Sequence, residues 1–138
     1  MTDTPVPTSR RAGRRHARRT ALILLFQSDV TGRPLTSLYE GDIDSFAREL
    51  AESVHARASE LDARITAAAE GWTADRLGAV ERNALRIAVH ELETESVPAE
   101  VAIGEAVRLT KRYATDEGAR LVNGILGRVL REREQARG

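Results

Sequence analysis

Apolar side chains in this chain recur at every third or fourth position, and no short run alternates apolar with polar. Ile43, Phe46, Leu50 and Val54 form one such stripe, Leu61 and Ile65 another, and Val80, Ala84, Leu85, Ala88 and Leu92 a third. Ala102, Ala106, Leu109 and Tyr113 follow, then Leu121, Val122, Ile125, Val129 and Leu130. That period lays each set along one face of a helix, whereas a half-buried strand needs a period of two. Alanine, leucine, arginine and glutamate dominate and lose little on entering a helix, so the fold class is all-α. With 138 residues the chain is long enough for one domain with its own core. Cysteine is absent, which removes disulfides and thiolate chemistry and suits a reducing compartment, so the expected location is cytoplasmic.

Helix signals divide the chain further. Residues 1–8, with Pro5 and Pro7, read as a disordered tail. A first helix is expected from about Ser9 to Val30, closed by Gly32 and Pro34, with a short one over Leu35–Tyr39. The next begins near Asp42. Another opens at Ser59, whose spacing to Asp62 resembles a weak capping box, and stops at Gly71. A turn is expected over Trp72–Leu77 and a helix over Gly78–Glu93. Pro98 suits the first turn of the following helix, and Thr115 or Asp116 caps the last. Residues 9–131 thus form one helical domain, and the polar segment 132–138 reads as a fraying tail. The longest apolar run, Ala21–Phe26, is far too short to cross a bilayer. The arginine-rich start has the composition of a transit peptide, but its arginines run unbroken into the first core helix.

Charge is distributed unevenly. Lysine and arginine total 21 and aspartate and glutamate 21, yet residues 1–19 hold six arginines against a single acid, Asp3. Arg10, Arg11, Arg14, Arg15, Arg18 and Arg19 cover about half the circumference of a helix at 100° per residue. They stand at its positive end, where each cation costs about 0.3–1 kcal/mol, and Gly13 weakens the helix by up to about 1 kcal/mol. An anion relieves both penalties. Guanidinium matches phosphate with a planar fork of donors, and arginine-rich segments are a common RNA-binding device. The bland alternative is a solvated charge run that aids solubility.

Other motifs carry less. His16, His55 and His90 lack the spacing of a metal site; His16 belongs to the basic cluster, and the other two read as surface or edge residues. Asp42, Asp44 and nearby glutamates read as a solvated face rather than an acid–base pair, so neither catalysis nor a cofactor is expected. Gly124-Ile125-Leu126-Gly127 has the spacing of a phosphate-clamping loop, but its apolar centre favours close helix packing. Trp72, Phe26, Phe46, Tyr39 and Tyr113 fall mostly in apolar stripes, which points to core packing and away from a base-stacking platform.

Several separated segments resemble the NusB family of transcription antitermination factors. These are Arg14-Arg15-His16-Ala17-Arg18, Leu25-Phe26-Gln27, Val80 through Ala88 with Glu91-Leu92, Val97 through Val107, and Leu121 through Leu126, spanning about Arg14 to Val129. The resemblance implies about seven helices in two small bundles packed as one domain. It implies binding of boxA, a single-stranded element of ribosomal RNA leader transcripts, together with the ribosomal protein NusE, in an RNA polymerase antitermination complex. Arg14, Arg15, His16 and Arg18 match its first RNA-contacting run, to which Arg10 and Arg11 are added by charge; Glu117, Arg120 and Leu121 match the second. Phe26 and Glu81 match positions facing NusE. Gly104, Gly118 and Leu121 stand where the family usually has asparagine or aspartate, serine, and phenylalanine; loss of that aromatic removes a base stack worth about 1–3 kcal/mol. The same fold occurs beside ribosomal-RNA cytosine methyltransferases, so a non-catalytic interaction scaffold is the alternative. Family members occur as monomers and as homodimers.

Overall fold

The computed structural model describes residues 8–137, with side chains from Gly13 onward. The expected disorder of the N-terminal tail therefore falls, but for Thr8, outside the described residues. Six α-helices follow in order: α1 (Thr8–Thr31), α2 (Ser45–Ala56), α3 (Ala58–Ala68), α4 (Ala79–Thr94), α5 (Ala99–Tyr113) and α6 (Asp116–Arg137). Two short 3-10 turns, Leu35–Leu38 and Ala74–Arg76, complete the set where about seven helices were expected. No strand occurs among the described residues.

The helix α4 is the centre of the domain. It packs against α1, α2, α3, α5 and α6, and buries Ala84, Leu85, Ile87, Ala88, Val89 and Leu92. A helix apolar on so much of its circumference needs neighbours on several sides. The two-residue link between α5 and α6 makes them antiparallel neighbours, joined where Thr115 Oγ1 accepts from Gly118 N at 2.8 Å. Leu22, Leu61, Ile65, Leu85, Leu109 and Leu126 are fully buried in one continuous core.

A network of polar groups pairs inside the bundle. Asp29, near the end of α1, accepts from Arg82 Nε at 2.8 Å and Asn83 Nδ2 at 3.0 Å. Arg86 reaches Asp29 at 3.4 Å and makes a two-pronged bond to Asp62 of α3, each arm 2.7 Å. Burial pushes the Asp29 carboxyl up, but the bonds and charges of Arg82, Asn83 and Arg86 outweigh it and hold the group below the ordinary range. This network clamps α1 and α3 onto α4.

Several boundaries differ from the sequence reading. α2 starts at Ser45, because Asp44 accepts from Ala47 N at 3.1 Å and caps the helix three residues beyond its expected entry near Asp42. The Ser59–Asp62 capping box does not form: Ser59 lies inside α3, and Asp62 is engaged by Arg86. Nor does Gly71 stop that helix: α3 ends at Ala68, where Ala69 N donates to Thr66 O, and Gly71 follows three residues later in the left-handed region at φ 87°. The segment after Arg131 continues α6 to Arg137, with Arg133 and Arg137 both drawn to Glu95. Trp72 and Tyr113 are 47% and 38% exposed rather than core residues, one in the link after Gly71 and the other at the very end of α5. Ile125 and Leu126 are buried as expected, but a Cβ on Gly124 would meet nothing within 4 Å, so close packing does not explain that glycine.

Candidate nucleic-acid interface

The first half of α1 carries the arginine cluster, and the bundle sorts its members. Arg14 and Arg15 are exposed. Arg14 lies with its guanidinium 5.2 Å from the ring centroid of Phe46, a cation–π contact that joins α1 to α2. Arg15 donates from Nε to Glu105 Oε2 of α5 at 3.2 Å, with 64% of its side chain exposed. Exposed His16 lies with Nδ1 2.7 Å from Arg19 Nη2. Arg10 and Arg11 fall in the first turns of α1, with side chains outside the described residues.

Arg18 departs from the set. It is 4% exposed and donates from Nε to both oxygens of Glu91, at 3.0 and 3.3 Å, with Glu91 itself 2% exposed. Here Arg18 makes an internal contact, unlike the exposed Arg14 and Arg15 that were expected to meet RNA beside it. A charge that deep is tolerated only when paired, and this pair pins α1 to α4. Burial, opposed by the charge and hydrogen bond of Arg18, leaves the Glu91 carboxyl above the ordinary range. Sequence phase carried the signal, since Arg18, Ala21, Leu22 and Leu25 share one helical stripe and the last three are core residues.

On the α5–α6 side, Lys111, Arg112 and Arg120 are exposed, and Arg112 sits 5.4 Å from the centroid of the Tyr113 ring. Glu117 is exposed at the start of α6. Leu121 is partly buried and packs against the core. Among the described residues no hydrogen bond or ion pair links the α1 arginines to Glu117, Arg120 or Leu121. Arg15 is tied instead to α5, through Glu105, which also accepts from Arg108 Nη2 at 2.9 Å. Burial pushes the Glu105 carboxyl up, but Arg108, Arg15 and Arg18 outweigh it and hold the group below the ordinary range. Glu91, Glu105 and Arg108 were not singled out from sequence; the arginine–glutamate spacing of three within α5 was the available hint.

The expected partner positions lie on α1 and α4. Phe26 is half-buried on α1, and exposed Ile23 and Val30 extend it into an apolar strip at helical spacing. Glu81 is half-buried in the first turn of α4, and the Asp29–Arg82 pair brings the two segments together. A Cβ on Gly118 would fall 2.5 Å from Glu81 Oε2, and one on Gly78 would fall 2.4 Å from Oε1. The carboxylate thus occupies the space that serine would take at position 118. Gly104 has open space around its Cα, and α5 runs through it unbroken.

Among the described residues no cluster of histidine, aspartate or glutamate could hold a metal, and no helix is long and apolar enough to cross a membrane. A basic helix end beside an apolar strip gives this helical protein a charged and an apolar surface for binding. The model of the NusB family matches residues 15–131. The "Transcription antitermination protein NusB" of Salinispora tropica is 41% identical over 127 residues, which cover 84% of this chain and 93% of that one. Thermotoga maritima NusB superposes with a TM-score of 0.77 at 32% identity, covering 94% of both chains. A chain from the crystal structure of the antitermination factors NusB and NusE with double-stranded RNA gives a TM-score of 0.74 at 29% identity, covering 86% of this chain and 96% of that one. The chain belongs to the NusB family.

Proposed function

We propose that this chain binds single-stranded boxA RNA of ribosomal RNA leader transcripts through the N-terminal half of α1 and the start of α6, together with NusE, and so joins an RNA polymerase antitermination complex. The observation that carries this is the presentation of Arg14 and Arg15 side by side on a helix end, exposed, one braced by an aromatic ring and the other by a carboxylate. Both guanidiniums keep donors for phosphate oxygens, and bracing limits the entropy lost on contact. Family membership and the double-stranded RNA in the complex of the related NusB and NusE support RNA as the class of ligand. Phe26 with its apolar neighbours, and Glu81, form the proposed NusE face. Action on nascent transcripts places the protein in the cytoplasm, and catalysis has no part in it.

The test is a titration of boxA RNA across 50–200 mM salt, with and without NusE, for wild type, Arg14→Ala and Arg15→Ala. Each lost phosphate contact is expected to flatten the slope of log K against log salt by about 0.7, the value for single strands. Wild-type affinity and slope in both variants would remove this surface from RNA binding. A duplex competitor separates the single-stranded preference from general affinity for RNA, and gel filtration of each mixture distinguishes monomer from homodimer.

A further inference from the structure

Glu105 is 8% exposed, yet its two oxygens hold arginines from different helices: Oε2 takes Arg15 of α1 at 3.2 Å, and Oε1 takes Arg108 of α5 at 2.9 Å. Each arginine uses a single donor here, on side chains 64% and 38% exposed. Arg108 Nε is buried without a hydrogen-bond partner, so Glu105 is the one acceptor of that guanidinium among the described residues. Without the carboxylate the two cations would repel and separate. Lys111 and Arg112 lie three and four residues beyond Arg108, on the same side of α5, and carry positive charge to the end of that helix.

We propose that Glu105 is a positioning residue of the RNA interface: it locks Arg15 and Arg108 together as a preset pair of guanidiniums, and Arg108 is thereby an RNA-contacting residue that bridges the α1 cluster to the α5–α6 corner. The proposal rests on the RNA-binding reading above. Its logic is preorganisation, because a side chain already held in place loses less freedom when phosphate arrives. Simple charge counting gives the opposite sign, since removing a carboxylate beside a polyanion strengthens attraction. That opposition makes Glu105→Gln a decisive variant.

A single-stranded boxA RNA oligonucleotide is titrated against the full chain across 50–200 mM salt for wild type, Arg14→Ala, Glu105→Gln and Arg108→Ala, with melting curves alongside. Arg108→Ala is expected to flatten the salt slope by about 0.7. Glu105→Gln is expected to weaken binding by about two- to tenfold despite its added positive charge, the range for one immobilised side chain. Arg15→Ala should then have little further effect in the Glu105→Gln background. Unchanged or tighter binding by Glu105→Gln, or an unchanged slope for Arg108→Ala, overturns the proposal. If Glu105→Gln melts early, the slope of Arg108→Ala decides alone. A flattened slope for Arg14→Ala beside silent Glu105→Gln and Arg108→Ala sinks only the positioning role, whereas silence in all three sinks the interface itself.

Discussion

Replacing Arg18 by methionine separates a buried structural arginine from a surface one. Methionine keeps much of the side-chain volume and removes the charge, leaving Glu91, 2% exposed, without the donor at 3.0 and 3.3 Å. Breaking a buried pair from one side costs about 3–5 kcal/mol, against about 0.2–1 kcal/mol for an exposed pair. For a chain of this size that cost lowers Tm by roughly 10–20 °C. Burial already holds the Glu91 carboxyl above the ordinary range, and without the guanidinium it moves higher. A group raised in the folded state gives its full stabilisation below its unfolded pKa and loses it as pH climbs through the folded value. Arg18→Met should therefore be hurt more at pH 7 than at pH 5. Urea unfolding of wild type, Arg18→Met, Glu91→Leu and the double variant at both pH values measures this directly. The double variant should recover most of the loss, because no buried charge remains unpaired. A penalty for Arg18→Met below 1 kcal/mol, with a flattened RNA salt slope, would refute the assignment and return Arg18 to the surface.

Two further outcomes follow from other contacts. Asp29→Asn weakens the bonds to Arg82 and Arg86 and is expected to cost about 2–3 kcal/mol at pH 7 in urea unfolding. Because the Asp29 carboxyl is held low in the fold, its stabilisation is present above the unfolded pKa and fades as pH falls through the folded one, so the gap between variant and wild type should close in acid. Gly118→Ala brings a Cβ within 2.5 Å of Glu81 Oε2 and obliges that carboxylate to swing away. Stability should change by less than about 1 kcal/mol, since alanine favours the helix, while NusE affinity falls; intact affinity in Gly118→Ala, where Glu81→Ala loses it, would count against the carboxylate position as the reason.

Most element boundaries were legible because their causes are local. Apolar spacing of three and four and a threonine before α6 act within a few residues. The boundaries that moved have competing local candidates or distant partners. Asp44 and Asp42 are both plausible caps, and only one reaches Ala47 N. The helical course beyond Arg131 coincides with Glu95, a residue of the α4–α5 link that draws Arg133 and Arg137. Asp62 was read as a capping partner for Ser59, but Arg86, 24 residues away, claims both its oxygens.

The sequence alone determined that this chain is a helical bundle with a positively charged leading helix, because periodicity and charge runs are properties of adjacent residues. Which arginines meet solvent was decided by the tertiary structure. The arginines of α1 spread over about half its circumference, and only docking on α4 and α5 selects which of them close, turning Arg18 inward to Glu91 and handing Arg15 to Glu105. A carboxylate seventy-three or ninety residues away leaves no trace in the local pattern, yet at about 3 Å it fixes where a guanidinium points.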